Sequence, residues 1–382
     1  MKMSKFIKST LILLVGGFLT KVLGMLIKII TTRIIGTETL GLYMLIMPTF
    51  NLFITLAQGG LPISVSKIVS ENKKDNKKIV FSSIFISICT TFFLMILLIF
   101  ISPLIAKFLH NDSLSFPIMC IGLTLPFISL SGIIRGYFFG KENMFPHVLS
   151  NNFEQVVRII LNIIFLPLLS NYEPRVSVTF LILSNVISET TSIIILYFFL
   201  PRKIKITKEM LKPEKIIIKD VLNISIPTTG SRIIGTIGYF LEPIVLTSFL
   251  LMNGYTTNYI TYEYGVLTGY VMPLLLLPSF FTMAISQATL PVISNGYANN
   301  KIPYVKKKIK QSLLLSFAIG LFFTIILMIF PEIFMKLIYN TNEGVSYIRK
   351  LAPFFLLLYI QTPLVSVMQA IDKSKDAMHS TL

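Results

Sequence analysis

Six stretches of this chain run for more than twenty residues without an Asp, Glu, Lys or Arg: 39–66, 79–106, 113–134, 264–300, 311–331 and 351–371. A helix rises about 1.5 Å per residue, so roughly 20 apolar residues cross the hydrocarbon core of a bilayer. A helix also satisfies its backbone hydrogen bonds internally, as lipid requires. Only 13% of the residues are charged, against about 25% in a soluble domain. The fold class expected is an all-α polytopic membrane protein.

Hydropathy and punctuation predict ten helices, near 8–35, 40–66, 79–106, 114–135, 147–169, 177–200, 221–250, 264–294, 311–335 and 351–371. Several exceed one crossing and hold Gly16, Gly17, Gly24, Pro48, Pro273 or Pro278, where tilt or breaks are expected. The 264–300 run has no charged turn and reads as one bent helix. Lys2, Lys5 and Lys8 could head a signal peptide, but no small-residue cleavage site follows and the apolar pattern continues past Gly36. If ten helices alternate, 24 of the 34 basic residues fall on one side, in segments 1–8, 67–78, 135–141, 201–219, 300–310 and 373–375. Loops 36–39 and 251–262 carry no Lys or Arg. The positive-inside rule then places both termini in the cytoplasm, with the chain in the cell membrane.

The net charge of +17 is thus mainly a topology signal. No soluble basic face is present to take nucleic acid. Cys89 and Cys120 lie in apolar spans, and His110, His147 and His379 lack metal-ligand spacing. "GSRIIGTIG" (230–238) follows no strand, so Gly230, Gly235 and Gly238 read as small residues for close helix packing rather than a phosphate cradle. Neither an enzyme nor a metal or organic cofactor is expected, and the chain is expected to be monomeric. "LPISVSKIVSENKKDNKK" at Leu61 and "LPVISNGYANNKIPYVKKK" at Leu290 each run from an apolar helix into a lysine cluster. More loosely, "GKENMFPH" at Gly140 pairs with "SKDAMHS" at Ser374. Both offsets predict two parallel repeats, a known transporter plan. The expected lobes are 1–200 with helices one to six, and 221–382 with helices seven to ten. A basic cytoplasmic linker, 201–220, joins them. On that repeat the second lobe is about two helices short of the first, as in a truncated transporter.

"RGYFFGKENMFPHVLSNNFEQVVRI" (Arg135 to Ile159) resembles the R-G-Y-F-x-G…N-M-x-P…E-Q-x-x-R signature of the stage V sporulation protein B group. "GLYMLIMPTFNLFITLAQGGLPISVSKIVSE" and "YGVLTGYVMPLLLLPSFFTMAISQATLPVIS" are further matches. That group belongs to the oligosaccharidyl-lipid flippases of the multidrug/oligosaccharidyl-lipid/polysaccharide exporter superfamily. The resemblance implies two lobes around a cationic cavity. It also implies carriage of a polyprenyl-pyrophosphate-linked sugar, such as the peptidoglycan precursor, to the outer leaflet. This chain ends before the helix count of that group is reached.

Ionisable residues inside spans mark functional candidates, because each costs roughly 2.5 to 3.5 kcal/mol at a helix centre. Lys21 lies about 20 Å along the first helix from Lys8, Lys28 about 10 Å beyond it, and Arg33 near the outer end. Long stems could let these heads snorkel to an interface. Alternatively Lys21, Lys28, Arg33 and Arg232 form a cation ladder for a diphosphate. Glu189, mid-way along the sixth helix, is a candidate to neutralise a cavity cation or to couple transport to H⁺ or Na⁺. Glu154 and Arg158 are spaced i, i+4 and can pair on the fifth helix. Glu242 and Arg232, ten residues apart, would be the second lobe's share of the cavity. Gln58 and Gln287 are weaker polar candidates. Five intramembrane cations against three carboxylates favour an anionic cargo, a lipid-linked saccharide, over the organic cations of a cation-coupled multidrug exporter. A non-transporting remnant is the remaining alternative.

Overall fold

The computed structural model describes residues 5–201 and 214–371; Lys2, most of the expected linker and the tail lysines lie outside them. Thirteen α-helices and no strand occur among the described residues. Among the described residues, eight helical stretches are long and apolar enough to cross a membrane, or nine if the pair 257–276 and 279–286, bent by 44°, is one span. The protein is a helical multi-span membrane protein. The first of these spans holds two of the ten expected helices, 8–35 and 40–66, which run as two segments of α1 (Lys5–Gln58). They meet at Gly36, whose φ of 71° and ψ of 170° break the helix. A side chain there would be strained, and glycine is not.

Two compact units divide the chain, residues 1–265 and 266–382. The first holds α1, α2 (Leu61–Glu71), α3 (Asn76–Phe108), α4 (Ser115–Gly140), α5 (Phe145–Leu169), α6 (Pro174–Phe199), α7 (Lys215–Met252) and α8 (Thr257–Gly265). Gly59 and Gly60, both at positive φ, end α1 and start α2, so the expected helix 40–66 stops at Gln58. Leu61, Val65, Ile68 and Val69 of α2 pack with Ile79, Ile133, Ile217 and Val221. α4 lies against α1, α2, α3 and α6. Its Gly132, Gly136 and Gly140, one turn apart, face Pro62, the Pro62 carbonyl and Ser66 with Val69. A Cβ on Gly136 would stand 2.4 Å from the Pro62 carbonyl oxygen, so the signature glycines are what lets α2 seat on α4.

The units do not divide at the basic segment 201–220. Lys215 to Asp220 are already α7, and α7 packs on α1, α2 and α3. Lys74 pairs with Asp220 and Lys78 with Glu214, which fixes the start of α7 to the turn after α2. The glycines expected at a tight helix contact do something else: a Cβ on Gly230, Gly235 or Gly238 meets nothing within 4 Å. That stretch of α7 is mostly exposed, so no neighbour requires a missing side chain.

The second unit holds a π-helical turn (Val266–Val271), α9 (Met272–Leu276), α10 (Ser279–Ala298), α11 (Ile302–Ile329), α12 (Pro331–Tyr339) and α13 (Val345–Ala370). Phe330 and Pro331 split the expected helix 311–335 in two. α10, α11 and α13 pack against one another. Ser312, Ser316, Gly320 and Thr324 form a buried small-residue row on α11, and Gly320 receives Tyr359 of α13. The Tyr359 hydroxyl donates to the Leu275 carbonyl.

Candidate functional site

Three helices of the first unit bring four charged side chains together. Arg135 of α4 donates through Nη2 to Glu154 Oε2 of α5 at 2.8 Å, and reaches Glu189 Oε2 of α6 at 3.4 Å. The same nitrogen lies 2.8 Å from Ser192 Oγ. Arg158, one turn beyond Glu154, donates to Glu154 Oε1 at 2.8 Å and to Ser188 Oγ at 3.3 Å. Glu154 and Glu189 are each 6% exposed, so neither could carry charge there without a cation beside it. Two guanidinium groups and two carboxylates cancel. Arg135 Nε and Arg158 Nε are buried donors that no described group accepts. The half-buried Tyr43 of α1 lies within electrostatic reach of Arg158.

The charge pattern places Arg135 with the loop residues 135–141, and the structure corrects this. It sits five residues inside the end of α4, about 8 Å along the axis from Gly140. Glu189 is ten residues, about 15 Å, from the end of α6. A guanidinium stem spans the difference, so Arg135 turns towards the two acids rather than towards the helix end. One signal was available: the only cation on the helix of Glu189 is Arg175, fourteen residues away and beside Glu173, so a partner for Glu189 had to come from another helix.

The expected cation ladder is not a single row. Lys21 and Lys28 are seven residues apart, about 20° around the helix. Arg33 is a further five residues on, about 140° from Lys28. Thr20 bonds Asn152 Oδ1 at 2.7 Å, and Asn162 Nδ2 donates to Thr31 Oγ1 at 2.8 Å, so the Thr20–Thr31 side of α1 faces α5. Lys21 and Lys28 therefore share the flank next to that contact, and Arg33 points away from both. Lys28 is half-buried, while Lys21 and Arg33 are exposed. Arg232 and Glu242 are exposed on α7, inside the first unit and not in a separate lobe. Tyr239 and Tyr264 are within electrostatic reach of Glu242. Gln58 stands beside Gly132 at the α1–α4 contact, and the Gln287 side chain lies outside the described residues.

No group of three or more metal-ligating residues occurs among the described residues. The arrangement offers two electrostatic environments: a self-neutral cluster across α4, α5 and α6, and a set of cations on α1 and α7.

The chain matches the family described as "Polysaccharide biosynthesis protein" over residues 6–297, and the MatE family over 243–382. It is 37% identical to Stage V sporulation protein B of Bacillus subtilis (strain 168), over 99% of this chain and 75% of that protein. It is 22% identical to Lipid II flippase MurJ of the same organism, over 99% and 75%. Among solved structures, an inward-facing multidrug resistance MATE family transporter of the MOP superfamily superposes with a TM-score of 0.75 at 16% identity, over 95% of this chain and 83% of that one. An outward-facing MATE transporter gives a TM-score of 0.61 at 18% identity, over 100% and 85%. These two show the fold.

Proposed function

The chain belongs to the polysaccharide biosynthesis protein family of MOP-superfamily transporters and flippases, and we propose that it carries a lipid-linked saccharide held through its diphosphate. The single observation behind this reading is the charge balance of the first unit. The α4–α6 cluster neutralises itself, and the remaining interior charges of α1 and α7 are the cations Lys21, Lys28, Arg33 and Arg232 against the two acids Glu38 and Glu242. A span tolerates such a surplus when an anion resides beside it. Lysine ammoniums on one flank supply point charges to phosphate oxygens, and an arginine supplies a planar fork.

In this reading Lys21 and Lys28 hold the diphosphate with Arg232, Arg33 meets it near the outer end, and the prenyl chain stays in lipid. The cycle is alternating access in the cytoplasmic membrane, with both termini on the cytoplasmic side. Relatives of this fold are solved both inward- and outward-facing, which supports such a cycle. The chemistry is transport, with no bond made or broken. Glu189 and Glu154 are tied to arginines and serve chiefly to hold α4, α5 and α6 in register; any coupling to H⁺ or Na⁺ would have to open those pairs. A cation-coupled drug exporter would instead need a surplus of carboxylates.

The test is native mass spectrometry of the chain in mild detergent with added polyprenyl-diphosphate saccharide, beside Lys21→Gln/Lys28→Gln. Retention by the wild type and its loss in the variant is the expected result. Equal retention by both, or preferential retention of an organic cation, overturns the reading.

A further inference from the structure

The second unit carries a groove that the cargo reading leaves unused. It is an open groove of about 460 Å³ along α11, lined by Lys306, Ile309, Lys310, Leu313, Leu314 and Phe317, with Ile360 of α13. Lys306 and Lys310 are one turn apart and stand at one end; everything beyond them is aliphatic or aromatic. No Asp or Glu occurs between Lys301 and Lys310, and no described carboxylate pairs with either groove lysine.

The dimensions are those of one membrane leaflet. Lys306 to Phe317 is eleven residues, about 16 Å of helix. Half the hydrocarbon core is about 15 Å. By the positive-inside rule segment 300–310 lies at the cytoplasmic face, where anionic headgroups are found. An ammonium pair at headgroup depth above an apolar channel of chain length is complementary to a phosphate with an acyl chain below it.

We propose that this groove is a binding site for an anionic phospholipid of the cytoplasmic leaflet. Its phosphate is held by Lys306 and Lys310, and one acyl chain lies along Leu313, Leu314, Phe317 and Ile360. The site is independent of the cations on α1 and α7 and stands whether or not the cargo reading does.

The experiment is native mass spectrometry from nanodiscs of equal phosphatidylglycerol and phosphatidylcholine with matched chains. Wild type is compared with Lys306→Gln/Lys310→Gln and with Lys301→Gln/Lys307→Gln, which removes the same charge outside the groove lining. Wild type is expected to retain phosphatidylglycerol about tenfold over phosphatidylcholine, the groove variant to approach parity, and the other variant to keep the preference. Parity in the wild type overturns the proposal, as does an equal fall in both variants. So does displacement of phosphatidylglycerol by an equal amount of polyprenyl diphosphate, which would assign the groove to cargo. If the groove variant does not fold, Lys310→Gln alone must lower the preference and Lys306→Arg/Lys310→Arg must keep it; failure of either also overturns the proposal.

Discussion

Arg135 and Lys28 are both cations within membrane helices of the same unit, yet their surroundings make them different kinds of residue. Arg135 is met by two carboxylates and a serine from α5 and α6. Lys28 is half-buried on the flank of a helix that also carries Lys21, Arg33 and, past the break at Gly36, Glu38. The first arrangement spends its charges on one another and joins three helices. The second gathers two lysines on one flank of α1. A charge buried among carboxylates is architecture, whereas cations that outnumber the acids on their helix are a means of attracting an anion.

The largest effect expected from breaking this contrast is at Arg135. Arg135→Leu strands Glu154 and Glu189 in a buried site and should cost about 3 to 5 kcal/mol, seen as loss of the folded peak in fluorescence-detected size exclusion. Adding Glu189→Gln should return part of that loss. An undiminished melting temperature in Arg135→Leu would show that the cluster does not hold the helices. Next is Gly136→Val, which drives a side chain into the Pro62 carbonyl and should cost about 1 to 3 kcal/mol in thermal melting, leaving the charges in place. Lys21→Gln/Lys28→Gln should leave melting within about 0.5 kcal/mol while lowering diphosphate-lipid retention about tenfold. Arg33→Gln, on the opposite side of α1, should lower it less than about threefold, close to one long-range charge contribution. If Arg33 and Lys28 prove equal, the distinction between flanks fails.

How far the sequence revealed this depends on distance along the chain. The Glu154–Arg158 pair was legible because i, i+4 spacing is set by the helix itself. The helices were legible from apolar runs longer than a bilayer crossing. Arg135 was not legible as a cluster member, since its two acids lie 19 and 54 residues away and its position near a helix end resembles a loop. Breaks at Gly59 and Phe330 were hidden inside uninterrupted apolar runs, where hydropathy has no punctuation. Placement of α7 with the first unit followed from tertiary packing and from Lys74 and Lys78, which no repeat offset encodes. The row on α11 shows the same limit: Ser312, Ser316, Gly320 and Thr324 are plain in the sequence, but their partner Tyr359 is not.

The shared cluster also constrains how the chain enters the membrane as it is made. α5 emerges from the ribosome with its own Glu154–Arg158 pair, but α4 brings Arg135 with no acid on its helix, and α6 brings Glu189 with its one base, Arg175, fourteen residues away and paired with Glu173. Each would enter lipid alone at a cost of roughly 2.5 to 3.5 kcal/mol. Stopping synthesis at Asn171, before α6, should leave α4 partly accessible to aqueous thiol reagents through a cysteine placed at Ser131, and extending past Leu200 should close that access. That outcome would show α4 waiting at the translocon for a partner synthesised some fifty residues later, and the three helices entering lipid as one package.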